Sequence, residues 1–426
     1  MLEPTSLQGI AKKAATDKTH RFKSLYGLIT VNFLAWCWQF MNQKAAPGID
    51  QETAKLFGLE FFKRVEILVE QLRSFKYRAK LVLRKYIPKG KDKLRPLGLP
   101  VIADKLLQMA VKKILEAIYE QDFLTSSYGY RMGLGSHDAI RALSAILKSK
   151  HYHFVVEADI RSFFDKIDHD KLLEMLSRRI DDKALLNLIR KWLKAGILDG
   201  EKVIHPITGT QQGGVVSPVL ANIYLHYVLD LWFEEVIKKK CKGKAYLCRY
   251  ADDFVCAFQR IEDAEYFYDE LGQRLADYGL ELAEEKTQMM LFSYLKYNHK
   301  SNGAFVFLGF EFRWELSRWR KPVLKRRTAR SKYRASLANF ADWCRKHCSL
   351  KLPALFKKLN NKLGGYIQYY GIRGNHKSMK DIIFHMKRIL FKQLNRRSQR
   401  KSYNWRGFEQ MLEAFKLIKP RICHDF

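Results

Sequence analysis

The run Cys248-Arg249-Tyr250-Ala251-Asp252-Asp253-Phe254-Val255-Cys256-Ala257-Phe258 constrains the fold more than any other part of the chain. Leu247, Tyr250, Phe254, Val255 and Phe258 favour strands, and Ala-Asp-Asp between them predicts a tight hairpin turn. Such a turn holds two carboxylates on a rigid sheet. Burying carboxylates costs several kcal/mol unless cations or donors meet them. Magnesium is the natural partner of a carboxylate pair that handles phosphates. Alone, the run also reads as an ordinary surface turn, where Asp is common.

A second acidic run narrows the choice. His153-Phe-Val-Val-Glu-Ala-Asp159-Ile-Arg-Ser-Phe163-Phe164-Asp165 reads as a buried strand ending in a carboxylate. Period two places Val155, Glu157 and Asp159 on one face. Asp159 falls at the strand end, ahead of a helix starting near Asp168. By itself Asp159 is also a fair helix cap. Two acidic strand ends on one sheet admit a two-metal site, with ions about 3.5–4 Å apart.

Tyr250-Ala251-Asp252-Asp253, and Asp159 with Phe163-Phe164-Asp165, resemble the signature blocks of a reverse transcriptase palm. Over nearly its whole length the chain is similar to the group II intron reverse transcriptase/maturase family, in the bacterial form lacking an HNH endonuclease domain. The resemblance implies an α+β right-hand polymerase: fingers, a palm with an antiparallel sheet and helices, then an all-helical basic thumb. It implies catalytic Asp159, Asp252 and Asp253, and two Mg²⁺ (Mn²⁺ as substitute) on Asp159, Ile160 and Asp252. Adjacent strand residues point to opposite faces, which leaves Asp253 secondary. Lys89, Arg95, Phe163, Phe164, Gln212 and Lys286 are implied at the nucleotide, with Phe163 against the sugar. Arg131, Gly213, Gly214, Leu308, Gly309, Lys325, Arg326 and Arg327 are implied at template or primer. The implied partners are an RNA template, a DNA or RNA primer, dNTPs and intron RNA.

Charge supports a polyanionic partner. The 426 residues carry 77 Lys and Arg against 44 Asp and Glu, a net +33. From Lys321 to Arg400 there are 22 basic residues and only Asp342 and Asp381 as acids. A helical face that merely meets solvent mixes its signs. Seven scattered cysteines with no CxxC pair exclude a disulfide scaffold and a zinc ribbon. They suit a reducing, cytoplasmic setting, nucleoid-associated when acting on DNA. Cys344, His347 and Cys348 have ligand spacing but no second cluster, and read as helix residues. Ser24 to Gln43 is uncharged and long enough to enter a membrane. Asn32, Gln39 and Asn42 favour a buried helix instead, so no membrane partner is expected.

In chain order, residues 1–55 read as a helical extension closed by Pro47-Gly48, 56–150 as fingers and 151–315 as palm. Residues 316–375 read as thumb and 376–426 as a short basic nucleic-acid-binding end. Leu81 to Pro100 predicts strand, basic loop, strand. Ala103 to Gln121 carries apolar residues at helical spacing. Gly213-Gly214 predicts close backbone approach to a base pair. Ser217-Pro218 predicts the cap and first residue of a helix over Val219 to Phe233. Leu282 to Phe292 predicts a strand bearing Lys286. Phe305 to Phe310 predicts a strand whose Gly309 admits a primer backbone. Tyr366, Tyr369 and Tyr370 are expected to pack in the core.

Overall fold

The computed structural model describes residues 5–88, 94–296, 302–397 and 402–426. It mixes helix and sheet, as expected, and divides into two compact units. The first comprises Met1–Ala139, Ala158–Phe254 and Glu262–Gln288; the second comprises Ile140–Glu157, Val255–Ile261 and Met289–Phe426.

The first unit is built on the helix Ile102–Tyr119, whose Leu106, Leu107, Ala110, Val111, Ile114, Leu115 and Ile118 are all buried. Apolar on nearly every side, it is a central helix rather than a surface one. Beside it the strands Val82–Pro88 and Leu94–Leu99 pair antiparallel. Ile197–Asp199 and Lys202–Ile204 extend that sheet. Lys89, expected at a nucleotide's phosphates, lies outside the described residues. The uncharged stretch after Ser24 forms a short 3₁₀ turn, Tyr26–Leu28, and the eight-residue helix Val31–Trp38. Among the described residues no helix is long and apolar enough to cross a membrane.

Three predicted elements differ; one is the strand expected over Phe305 to Phe310, which ends at Phe307 and turns back on itself through Leu308 and Gly309. The helix after the paired glycines begins at Ser217, with Val216 as its cap. The Ser217 hydroxyl donates to the Gln211 carbonyl (2.9 Å) instead of capping. The chain then winds into π-helical turns at His226–Asp230 and Phe233–Ile237, a feature that collects at functional sites. The strand expected over Leu282 to Phe292 is only Gln288–Leu291. Before it, Glu284–Lys286 is a 3₁₀ turn closed by the Lys286 amide on the Ala283 carbonyl (2.9 Å).

The second unit holds a sheet of Pro322–Thr328, Phe310–Leu316 and Phe305–Phe307, followed by four helices. Leu308 and Gly309 form a two-residue hairpin loop, both with positive φ (49° and 81°), which suits the twist of the flanking strands. The Tyr369 hydroxyl donates to the Leu308 carbonyl (2.7 Å), and the Tyr369 and Tyr370 rings lie on Phe310. These tyrosines therefore pack. Arg330–His347, Leu352–Tyr370, His376–Leu394 and Trp405–Ala414 bury one common core, from Phe340 and Leu355 to Leu390 and Phe408. That core runs across the boundary expected at residue 375. Cys344 is buried in it, and His347 bonds the Trp343 carbonyl of its own helix.

Candidate active site

A four-stranded sheet has the order Ala245–Tyr250, Asp253–Phe258, Phe154–Asp159, Gln288–Leu291. The His153 amide donates to the Phe258 carbonyl (2.8 Å). The start of one strand thus meets the end of its neighbour, and the two run antiparallel. Continued along the strands, this register sets Asp159 across from Asp252. The hairpin turn is Ala251-Asp252, and Asp253 already belongs to the next strand.

Lys286 pairs with Asp159 and lies in the field of Asp252. Its ammonium donates to Asp159 Oδ2, with the Asp159 side chain 24% exposed and Lys286 58% exposed. The Asp159 hydrogen bond, foremost, raises the Lys286 pKa against the opposing effect of burial, with smaller contributions from the charges of Glu285 and Asp252. A cation therefore sits within reach of both strand ends. Among the described residues no three His, Cys, Asp or Glu side chains gather as a metal cage. Mg²⁺ does not need such a cage, because it binds through one or two carboxylates and keeps waters and substrate phosphates as its other ligands.

A buried polar group braces the turn from behind. Arg249 and Asp230 are both fully buried and meet through Nε–Oδ1 at 2.7 Å and Nη2–Oδ2 at 2.6 Å. The guanidinium also donates to Asn222 Oδ1 (3.0 Å), Ser127 Oγ (2.7 Å) and the Ala251 carbonyl (3.1 Å). Ala251 has φ +58°, a costly conformation for a residue with a Cβ that surrounding contacts must enforce. Gly129 lies flat on it, since a Cβ there would overlap the Ala251 amide nitrogen. Asn222 in turn donates to the Gly129 carbonyl (2.7 Å). Sequence reading missed this group. Its signal was an Arg inside an apolar strand and an Asp inside an apolar helix, and only the fold pairs them.

The expected nucleotide residues sort by exposure. Phe163 is 2% exposed, whereas Phe164 is half-buried and the more open of the two rings. Helical geometry turns adjacent residues roughly 100° apart, so one ring enters the core. Tyr130 stands edge-on to Phe164 at 6.5 Å. It is 49% exposed with φ +60°. Burial, then the charge of Asp252, pushes its phenol up, while Arg95 pulls it down. Tyr130 thus lies in the field of both Arg95 and Asp252, and it too was missed. Gln212 Oε1 is buried without a hydrogen-bond partner among the described residues. It borders a 310 Å³ recess with Arg84, Gly98, Asp165 and Thr210.

Several expected template contacts have other duties. Arg131 donates to Glu120 (2.9 Å) and to the Leu124 and Ser127 carbonyls (both 2.8 Å), which ties down its own loop. Gly213 (φ +118°) and Gly214 are needed because a Cβ would strike the Gly98 carbonyl and Ser217 Oγ; the close approach is to protein. Arg326 is 3% exposed and donates to Ser144 Oγ and to the Arg373 and Phe426 carbonyls. Strand alternation puts Lys325 and Arg327 on the other, more open face, where Arg327 pairs with Glu315 at 2.6 Å.

Opposed acidic strand ends, a lysine paired to one of them and a braced hairpin turn together make a site suited to metal-dependent nucleotidyl transfer, of the polymerase class. Residues 87–312 match the family model described as reverse transcriptase (RNA-dependent DNA polymerase). Residues 333–409 match the group II intron, maturase-specific domain. The chain is 35% identical to protein YkfC of Escherichia coli (strain K12) over 58% of its own length and 73% of that protein. It is 36% identical to the group II intron-encoded protein LtrA of Lactococcus lactis subsp. cremoris, over 54% of this chain but only 39% of LtrA. A nuclear intron maturase 3 of Arabidopsis thaliana is 35% identical over 30% of this chain and 18% of its own. The chain belongs to the group II intron reverse transcriptase/maturase family.

Proposed function

We propose that the protein extends a DNA or RNA primer on an RNA template from dNTPs. The observation that carries this reading is the register that opposes Asp159 and Asp252, with Lys286 paired to Asp159. Asp159, Asp252 and the Ile160 carbonyl would hold Mg²⁺, two ions in the family's manner, with Mn²⁺ as a substitute. The bound metal supplies charge stabilisation to the attacking and leaving oxygens of the phosphoryl transfer. Asp253, turned to the other face, supports the turn. Arg95 and Lys286 hold the triphosphate, and Lys89 joins them by family resemblance. Phe164 with Tyr130 bounds the sugar. Gln212, on the wall of the recess beside Gly98 and Thr210, is the residue nearest the incoming base pair by family resemblance.

The second unit serves as primer grip and thumb. Leu308-Gly309 presents a fixed loop to the primer, and the helices from Arg330 onward carry the basic surface to the duplex. A maturase role follows from the same surface. The support is the match over 333–409 together with 22 basic residues against two acids between 321 and 400. Intron RNA is the partner for that role, and DNA at the nucleoid is the place of action when the chain copies. Asp252→Asn separates the two activities. It should abolish primer extension while intron RNA binding and splicing assistance persist. Extension by the Asp252→Asn protein at the wild-type rate would overturn the site.

A further inference from the structure

The segment Phe75 to Leu81 and the helix Lys183–Leu193 enclose a groove of about 1060 Å³ in the first unit. Its cations are Lys76, Arg78, Arg190, Lys191 and Lys194, and no carboxylate lines it among the described residues. In a chain with 44 acidic residues, a groove with so many cations and no acid carries one sign of field, and such clefts concentrate counter-charged ligands. Arg190 reaches Asp170 outside the groove at 3.5 Å. Lys76, Arg78 and Lys194 are exposed and form no ion pair among the described residues.

The groove is built rather than incidental. Ala184, Asn187, Leu188 and Lys191 face it at helical spacing. Tyr77 is its floor. The Tyr77 hydroxyl donates to Asp104 (2.7 Å) and accepts from the Trp192 indole (2.8 Å), and its carbonyl accepts from Lys191 (2.7 Å). At the rim Phe75 is 70% exposed with φ +57°. It lies parallel to Tyr26, with centroids 6.1 Å apart and planes within 5°. Tyr26 is itself anchored, its hydroxyl on the Leu72 carbonyl (3.0 Å) and its amide on Asp182 (2.8 Å).

A cationic channel beside a fixed, outward aromatic ring is how single strands are held, with phosphates on the cations and a base on the ring. A duplex hides its base faces and would leave the ring unused. We infer that this groove binds a single-stranded polynucleotide, with Phe75 stacking a base and Lys76, Arg78 and Lys194 on phosphates. None of the residues assigned above to metal, nucleotide, template or primer lines it, so it is a second polynucleotide site. It shares with the polymerase reading only the class of ligand.

The test uses the full chain with unstructured 20-nucleotide RNA and DNA strands carrying a photoreactive base, and a blunt RNA duplex as control. Single strands should crosslink to the peptide spanning Phe75 to Leu81. Lys76→Ala/Arg78→Ala/Lys194→Ala should lower the log–log salt slope of single-strand binding by about 2, from roughly 0.7 per phosphate contact. Phe75→Ala should weaken single-strand binding roughly 5- to 150-fold and leave the duplex unchanged. Losses on either strand type support the groove, and the type affected identifies its source. Thermal unfolding verifies that each variant is folded. An unchanged salt slope and absent crosslinks, or equal losses on the duplex, overturn the proposal. Failure of the wild type to extend a pre-annealed primer would instead sink the polymerase reading, and the groove would stand.

Discussion

Removing half of the buried Arg249–Asp230 pair should separate folding from positioning. Both side chains are fully buried, so Asp230→Asn leaves a guanidinium facing an amide that can accept at one atom and offers N–H groups at the other. Losing one partner of such a pair costs about 3–5 kcal/mol, because the remaining charge is stranded out of water. Replacing both, as Asp230→Leu with Arg249→Met, removes the stranded charge and should recover most of that stability. What the apolar pair cannot restore is the bond from Arg249 to the Ala251 carbonyl (3.1 Å), which holds the turn in its strained conformation. Misplacement of a reacting group by about 1 Å can cost about 100-fold in rate. The assay is single-turnover primer extension at saturating dNTP, beside thermal unfolding and RNA affinity. The Asn variant should lose both stability and rate. The Leu/Met pair should melt above the Asn variant but below the wild type, since Asn222, Ser127 and Ala251 lose their donor. It should bind RNA normally and still extend about 100-fold more slowly. If the Leu/Met protein extends at the wild-type rate, the buried pair does not set the height of Asp252.

Phe164→Val should raise ribonucleotide incorporation roughly 10- to 100-fold, read as the ratio of kcat/KM for dNTP and rNTP, and Tyr130→Ala should move it the same way. Phe163→Ala should instead cost about 3–5 kcal/mol of stability with the ratio unchanged. Arg326→Ala should destabilise by about 1–3 kcal/mol, since it removes a buried side chain and the donor to the buried Ser144 hydroxyl, whereas Arg327→Ala should alter melting by under about 1 kcal/mol. Burial pushes the Asp104 carboxyl up from 3.8 to about 6. Between pH 4 and 6 the folded chain therefore binds the extra proton, and this group's contribution falls as pH rises, by about 3 kcal/mol in all. Asp104→Asn should gain on the wild type across that window in urea unfolding curves, and a constant difference would refute the assignment.

Much of the site's strand geometry was legible in the chain. Period two in 153–159 and the apolar runs flanking Asp252 are local signals, and an antiparallel hairpin follows from them directly. The long central helix was legible for the same reason, whereas Phe305 to Phe310 read as one strand and instead turns at Leu308-Gly309. Exposure was not. Phe163 and Phe164, or Arg326 and Arg327, are neighbours of like chemistry, and which one turns outward depends on the side the core occupies. Arg131 looked like a phosphate ligand until its own loop wrapped around it, and Gly213 like a base contact until Gly98 filled the space.

Sequence by itself determined the kind of chemistry and the excess of positive charge, because residue types and short spacings carry both. Only the tertiary structure decided which cations remain open to a ligand and what braces the Ala251-Asp252 turn. Asp230 and Arg249 stand far apart along the chain, and their pairing is created by the packing of a helix against a strand.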